Sequence, residues 1–214
     1  MKEKRLKIAL FICAAVYILT LLYSFYVNIT GNGGRNLKMI LVACITPLIV
    51  PCIFSIFKWK AVYEIYIIST VFTYFASVWG STLNGYNLPG FDKILHFTSG
   101  WLITTAAVIC YMSIKKSNGF PKQNDFTIFL IFINAVNIAI AEFWEFFEYA
   151  MLIFFHDDCI NHYTQGVHDT ITDVMCATLA GALLTGLIIR YYKRGNSNFF
   201  VDVYEKFYKR NIED

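Results

Sequence analysis

The chain has 214 residues, of which 57% are hydrophobic and only 15% are charged. Soluble domains carry about a quarter charged residues, so this composition argues against an ordinary soluble domain and favours a membrane protein. The net charge is only +3, and no basic stripe outside the flanks of the apolar segments indicates binding to nucleic acid. We therefore expect an all-α protein with a single integral membrane domain over residues 1–214, ending in a cytoplasmic tail at 193–214.

Six apolar runs have the length of about twenty residues that a helix needs to cross the bilayer core. They cover residues 8–27, 39–57, 62–80, 94–114, 126–147 (with a continuation towards 155) and 171–192. The first run lacks a convincing cleavage site, which favours an uncleaved helix over a signal peptide. Pro47 and Pro51 lie inside the second run and predict a kink, because each proline removes a backbone donor.

The distribution of basic residues predicts the orientation of the six helices. If the N-terminus is cytoplasmic, fifteen of the eighteen lysines and arginines lie on that side, and only Arg35, Lys38 and Lys93 lie on the other. This asymmetry follows the positive-inside rule and places both termini in the cytoplasm. The segment "NIT" at Asn28 matches the glycosylation sequon and falls on the predicted outer side.

The C-terminal segment "NFFVDVYEKFYKRNIED" differs from the apolar runs. Five of its large apolar residues recur at helical spacing, namely Phe200, Val203, Tyr204, Phe207 and Tyr208. The pattern predicts an amphipathic helix. Such a helix lies either in the cytoplasmic membrane interface or packed against the helices of its own chain.

Ionisable residues cluster at one end of the last three apolar runs. The fourth run opens with "FDKILHF", which places Asp92 and His96 one turn apart on one helix face. The fifth run contains "AEFWEFFEYA", with Glu142, Glu145 and Glu148, and the sixth opens with "HDTITD", with Asp169 and Asp173. In the predicted orientation all three ends lie at the outer side, so we expect acids of the fifth and sixth runs to receive the polar groups of the fourth.

Ionisable groups inside a membrane are costly and are functional candidates by default. Several carboxylates close together need a cation, shared protons or water, and carboxylates with imidazole suit Zn, Mn or Mg. The sequence therefore predicts a divalent metal bound by Asp92, His96, Glu148, Asp169 and Asp173. Glu145, with His96, is the predicted catalytic group, acting as a general base or acid that activates water.

Each of these residues also has a plain structural interpretation. Asp92 and Asp169 lie where helix N-caps occur, Glu148 can extend to the membrane interface, and His96 can make one structural hydrogen bond. The aromatic residues around the glutamates are typical of the interfacial belt of membrane proteins.

Three functions fit the cluster. The first is a metal-dependent hydrolase or transferase acting on a lipid or isoprenoid-linked head group. The second is a proton- or cation-coupled transporter, for which the inner halves of the last three runs offer only Thr104, Thr105, Asn134 and Asn137 as obvious polar groups. The third is a membrane scaffold in which the polar cluster only locks helix packing.

The stretches "FDKILHFTSGWLI", "EFWEFFEY" and "HDTITDVMCATLAGALL" resemble the pattern of the YjdF-type family of bacterial inner membrane proteins, and more distantly that of VanZ-like proteins. The resemblance covers residues 91–184, and its matching positions are Asp92, His96, Glu145, Glu148, Asp169 and Asp173. It implies a multi-pass protein of the bacterial plasma (inner) membrane and assigns no activity.

Overall fold

The computed structural model describes residues 2–31, 37–116 and 120–213, and within them it contains helices joined by turns and loops, with no strand. The α-helices are α1 (Lys2–Thr30), α2 (Leu37–Ile45), α3 (Ile49–Ile56), α4 (Tyr63–Thr73), α5 (Phe91–Lys115), α6 (Asn124–Phe155), α7 (Val167–Arg194) and α8 (Phe199–Asn211). Short 3-10 turns lie at Thr46–Leu48 and Gly85–Asn87, and a π-helix lies at Tyr74–Thr82. The all-α prediction is confirmed.

Five helices of the described part are long and apolar enough to cross a membrane, over Glu3–Thr30, Leu37–Ile56, Phe91–Lys115, Asn124–Phe155 and Val167–Arg194. They correspond to five of the six predicted runs, with the second ending one residue earlier than predicted, and α6 does continue to Phe155. Within Leu37–Ile56, the helix tightens to a 3-10 turn at the segment that contains Pro47. The helix is therefore irregular at the first proline, and the kink itself remains a prediction.

The predicted third run, residues 62–80, is helical but irregular. Its α-helical part has 11 residues and is followed by 9 residues of π-helix. A sixth membrane crossing therefore remains a prediction, and so does the cytoplasmic location of both termini. Arg35, which entered the charge comparison, lies outside the described residues.

The chain divides into two compact units, Met1–Phe91 and Asp92–Asp214. In the first unit, buried polar side chains join helices that are distant in sequence. The Tyr17 hydroxyl donates to the Ala43 carbonyl at 2.7 Å, and the Asn28 amide donates to the carbonyls of Ser24 at 2.9 Å and Thr82 at 3.0 Å. Asn28 is fully buried, so its side chain is not presented for glycosylation despite the sequon.

The second unit is built around α5, α6 and α7. Its core consists of apolar side chains from all three helices, including Val108, Phe129, Ile133, Leu184 and Ile188, each fully buried. Well-packed apolar side chains of this kind fix the relative positions of the helices.

Small residues allow α7 to approach its neighbours closely. A methyl group built on Gly100 of α5 would lie only 2.2 Å from the carbonyl oxygen of Ala177 on α7. One turn further along α7, a methyl group on Gly181 would lie 2.1 Å from the Asn137 amide nitrogen of α6. That amide donates to the Ala177 carbonyl at 2.9 Å. Glycine at these positions is therefore a packing requirement, as in other tightly packed membrane helices.

The substitution Gly100→Ala tests this contact between α5 and α7. We expect it to lower the free energy of unfolding by about 1–3 kcal/mol, because the added methyl group has no space and the helices must separate. Gly186→Ala on α7 is the matched control, since a methyl group there meets nothing within 4 Å. Thermal unfolding in mild detergent should show a lower midpoint for Gly100→Ala alone, and equal midpoints would contradict the packing.

Helix α8 packs against the helices of its own chain. Asn198 caps it by accepting from the backbone amides of Phe200 and Val201, and Tyr204 is fully buried in the core formed by α5, α6 and α7. The Tyr204 hydroxyl lies 3.3 Å from the Thr105 hydroxyl. Burial raises the pKa of the Tyr204 phenol, which stays neutral. Of the two predicted arrangements, the structure has the tail packed on its own helices.

Replacing Tyr204 by alanine should therefore destabilise the whole second unit. We expect a loss of about 3–5 kcal/mol, the usual cost of removing a buried aromatic side chain. Phe199→Ala on the same helix is the control, because Phe199 is 52% exposed. Limited proteolysis should release the tail of Tyr204→Ala more quickly than that of Phe199→Ala. Equal release rates would instead favour a tail that binds the membrane interface.

Candidate functional site

The candidate site lies at the first turns of α5 and α7, beside the C-terminal third of α6. Asp92 and His96 fall in the first two turns of α5, and Asp169 and Asp173 fall in the first two turns of α7. Each pair is separated by four residues and so projects from one side of its helix. Gly166, with a φ of +60°, immediately precedes α7 and turns the chain into it.

Lys93 joins the two helices. Its Nζ lies 2.6 Å from Asp169 Oδ1, 2.8 Å from Asp173 Oδ1 and 3.4 Å from Asp92 Oδ2. The side chains of Asp169 and Asp173 are each only 1% exposed, whereas that of Lys93 is 26% exposed. Buried carboxylates are strongly disfavoured without a counter-charge, so this ammonium group is what allows the two aspartates to share the site.

Both carboxylate oxygens of Asp169 are bound by side chains that lie outside α7. Its Oδ1 binds Lys93, and its Oδ2 accepts a hydrogen bond of 2.8 Å from the side-chain amide of Asn161, in the loop before α7. The N-cap position of α7 is occupied by Gly166. The interpretation of Asp169 as a simple helix cap is therefore wrong.

His96 contacts a carboxylate on each side. Its Nε2 lies 3.5 Å from Asp92 Oδ1 and 3.7 Å from Asp173 Oδ1. Asp92, His96 and Asp173 each offer one ligand atom, and these atoms all lie within 4.8 Å of one another. Oxygen and nitrogen ligands bind transition metals at about 2.0–2.2 Å, so small side-chain rotations would let the three groups hold one ion. These three residues form a group that could bind a metal.

Three carboxylate oxygens in and beside this group are buried acceptors without a hydrogen-bond donor of ordinary geometry in the described structure. Asp173 Oδ2 has no hydrogen-bond partner in the described structure, and neither carboxylate oxygen of Glu145 accepts a hydrogen bond of ordinary geometry. Glu145 is 2% exposed and interacts electrostatically with His96 and Asp173, with the Thr170 side chain as a polar neighbour. A buried carboxylate without partners is costly unless a proton, a cation or water satisfies it.

Glu148 and Glu142 occupy less central positions on α6. Glu148 accepts a hydrogen bond of 2.8 Å from the indole nitrogen of Trp144, and it interacts electrostatically with His96. Glu142 is half-buried. Trp144 is thus not only part of an aromatic belt, because its indole nitrogen also binds a site glutamate.

The structure brings together Asp92, His96 and Asp173, three of the predicted metal ligands. It places Asp169 beside them, bound to Lys93 and Asn161, and it places the catalytic candidate Glu145 within their electrostatic range. The sequence predicted that acids of the last two runs receive the polar groups of "FDKILHF", and the contacts of Lys93 with Asp169 and Asp173 agree with this prediction. It gave Lys93 no role in the site, and it did not assign Asn161 or Trp144 to it. Only Lys93 had a usable signal, because it is a rare basic residue on the predicted outer side and it directly follows Asp92.

The charges of the group decide what it can bind. Asp92, Asp169 and Asp173 carry three negative charges and Lys93 one positive charge, so two negative charges remain when His96 is neutral. Glu145 and Glu148 add to this excess when they are ionised. The arrangement can therefore accept a divalent cation or bound protons.

The fold and the site together define a multi-pass helical membrane protein with a polar site at one end of three closely packed helices. The chain belongs to the family described as predicted membrane protein (DUF2238), whose profile matches residues 8–195. This membership agrees with the resemblance to YjdF-type proteins, while the more distant similarity to VanZ-like proteins remains a prediction. No curated protein and no solved structure matches the chain.

The substitution Asp169→Ala tests the ion pair with Lys93. Removing one partner of a buried pair costs roughly 3–5 kcal/mol, and the partial exposure of Lys93 places the expected loss near the lower end. Asp125→Ala is a suitable control, because Asp125 is an exposed acid in the first turn of α6. Thermal unfolding should show a clear decrease in the midpoint for Asp169→Ala only; a midpoint equal to that of Asp125→Ala would show that the pair contributes nothing to stability.

Proposed function

We propose that this protein is a metal-dependent hydrolase or transferase that acts on a lipid or isoprenoid-linked head group. The observation that supports this function best is the grouping of Asp92, His96 and Asp173, whose ligand atoms lie within 4.8 Å of one another. Carboxylate and imidazole ligands suit Zn, Mn or Mg.

The residues have separate roles in this proposal. Asp92, His96 and Asp173 hold the metal, and the unpartnered Oδ2 of Asp173 is its free ligand atom. Glu148 is a further candidate ligand from α6. Asp169 is the least available of the predicted ligands, because Lys93 and Asn161 already occupy both of its oxygens.

Glu145 is the proposed general base or acid, and His96 assists it. The Glu145 carboxylate is buried beside the metal group and accepts no hydrogen bond of ordinary geometry, so it is available to take a proton from an attacking water or hydroxyl group. A bound divalent cation would supply Lewis acidity towards a phosphoryl or carbonyl oxygen. Burial of the glutamate keeps bulk water away from that proton transfer.

The location of the site supports a lipid-linked substrate. It lies near the ends of candidate membrane helices, and the ends of a membrane-spanning helix fall near the lipid head groups. The distribution of basic residues favours the outer leaflet. The resemblance to YjdF-type proteins favours the bacterial plasma membrane.

Transport is a weaker alternative, because the polar groups that the sequence offers for it further along α5–α7 are neutral and are hydrogen-bonded within the helix bundle. Asn134 donates to the Thr185 hydroxyl at 2.8 Å, Asn137 to the Ala177 carbonyl at 2.9 Å, and Thr104 to the Gly100 carbonyl at 2.8 Å. These neutral groups are engaged in helix packing and provide no charged relay through the described part of α5–α7. A scaffold is the remaining alternative, which the ion pairs of Lys93 favour.

Metal binding tests the proposal directly. Protein purified in mild detergent without chelator, then titrated with Mn²⁺, should bind about one equivalent, because three ligand groups converge on one position. His96→Ala and Asp173→Ala should each lose this binding, measured by plasma mass spectrometry and by the electron paramagnetic resonance of free Mn²⁺. Glu145→Gln should keep the metal but lose hydrolysis of lipid-linked phosphates in a substrate panel.

Glu142→Gln is the matched control for Glu145→Gln, because Glu142 is also an acid of α6 but lies only half-buried. It should keep both metal and activity. Absence of Mn²⁺, Zn²⁺ and Mg²⁺ binding in folded wild-type protein would contradict the enzyme. Proton-driven uptake by proteoliposomes would then favour the transporter, and a loss of stability alone in the variants would favour the scaffold.

A further inference from the structure

We propose that Lys93 is a tethered competitor of the metal, so that a divalent cation binds by displacing the Lys93 ammonium group from Asp173 and Asp92. This inference rests on the metal site of the proposed function and concerns its regulation. It makes metal binding an exchange between an internal monovalent cation and an external divalent one.

The contacts of Lys93 are the first support. Its Nζ binds Asp173 Oδ1 at 2.8 Å and lies 3.4 Å from Asp92 Oδ2, so it contacts two of the three ligand residues. The third, His96, lies 3.7 Å from the same Asp173 Oδ1. Lysine and metal would therefore compete for the same two carboxylates, Asp92 and Asp173.

The unpartnered oxygen of Asp173 is the second, independent support. Asp173 Oδ2 is buried in a side chain that is 1% exposed, and it has no donor within the described structure. Glu145, 2% exposed, offers two more buried oxygens without a hydrogen bond of ordinary geometry. Lys93 thus satisfies only part of the acidic group, and the unsatisfied acceptors remain for a second cation.

Repulsion between like charges makes the two cations antagonistic. An ammonium group bound to a ligand carboxylate repels a divalent ion a few ångströms away, and this repulsion is strong where water is scarce. Lys93 can withdraw without leaving the site, because it also binds Asp169 Oδ1 at 2.6 Å, one turn nearer the start of α7. Its side chain is already 26% exposed, and the flexible stem of lysine allows the movement.

Reciprocity follows from this competition. Whatever draws Lys93 away from Asp173 must strengthen metal binding, and metal binding must release Lys93 by the same factor. Lys93 lies in the first turn of α5, at one end of a candidate membrane helix, so its position would report metal occupancy to that end of the helix.

The test is the affinity for Mn²⁺ of wild type, Lys93→Met, Lys93→Gln and Lys93→Arg, by isothermal titration in mild detergent. Loss of the positive charge should tighten binding at least about tenfold in Lys93→Met and Lys93→Gln, even with screening by water. Lys93→Arg should not tighten it, because the charge is retained. Lys122→Met, at an exposed lysine far along the chain, should bind like wild type.

Peptide-level mass spectrometry after acylation of amines gives a readout that does not depend on affinity. Saturating Mn²⁺ should increase the labelling of Lys93 in wild type and leave that of Lys122 unchanged. The Lys93→Gln variant covers the case in which Lys93→Met does not fold.

The outcomes separate this inference from the proposed function. Wild type that binds Mn²⁺ with affinity equal to or tighter than Lys93→Met and Lys93→Gln would overturn the competition and keep the metal site, with Lys93 as a positioning residue. Binding in the uncharged variants alone would support the competition and contradict metal use by the wild type. Absence of binding in all variants would overturn both.

Discussion

The cluster depends on one interaction, the pairing of the Lys93 ammonium with the buried carboxylates of Asp169 and Asp173. Removing two carboxylates from water is unfavourable, and a shared cation at 2.6 and 2.8 Å offsets much of that cost. The pair also connects the first turn of α5 to the first two turns of α7. His96, Asp92 and the glutamates of α6 lie around this group of charges. The single positive charge of Lys93 does not neutralise all of the surrounding carboxylates.

Helix packing deeper in the second unit brings the helices close enough for these ion pairs to form. Gly100 against Ala177 and Gly181 against Asn137 bring α7 close to both α5 and α6. Larger side chains would separate the helices and lengthen the contacts at their ends. The polar cluster and the small-residue contacts therefore act together. The cluster pairs opposite charges, and the small residues keep the helices close enough for those charges to meet.

The cluster contains more carboxylates than its one lysine can neutralise, and this excess of negative charge bears on function. A scaffold needs only enough positive charge to balance its acids, whereas this group keeps more carboxylates than Lys93 can pair, including the Glu145 carboxylate with no hydrogen bond of ordinary geometry. An unsatisfied buried acid is the state that a general base or a cation site requires, and its cost must be met by the surrounding fold. The proposed enzyme and the proposed competition between Lys93 and the metal both rest on this excess of carboxylates.

The sequence by itself determined the helical class, the membrane character and the acids near one end of three helices, because length, hydropathy and i, i+4 spacing are local properties. It also predicted the amphipathic tail, but not which surface would cover it. The tertiary structure decided that Tyr204 enters the core, that Lys93 joins Asp169 to Asp173, and that Asn161 holds Asp169. The contacts of Tyr204 and Lys93 depend on distances between segments far apart in the chain, such as the 76 and 80 residues that separate Lys93 from its two aspartates. The bond between Asn161 and Asp169 spans only 8 residues, but it depends on the conformation of the loop before α7, which no periodic pattern encodes.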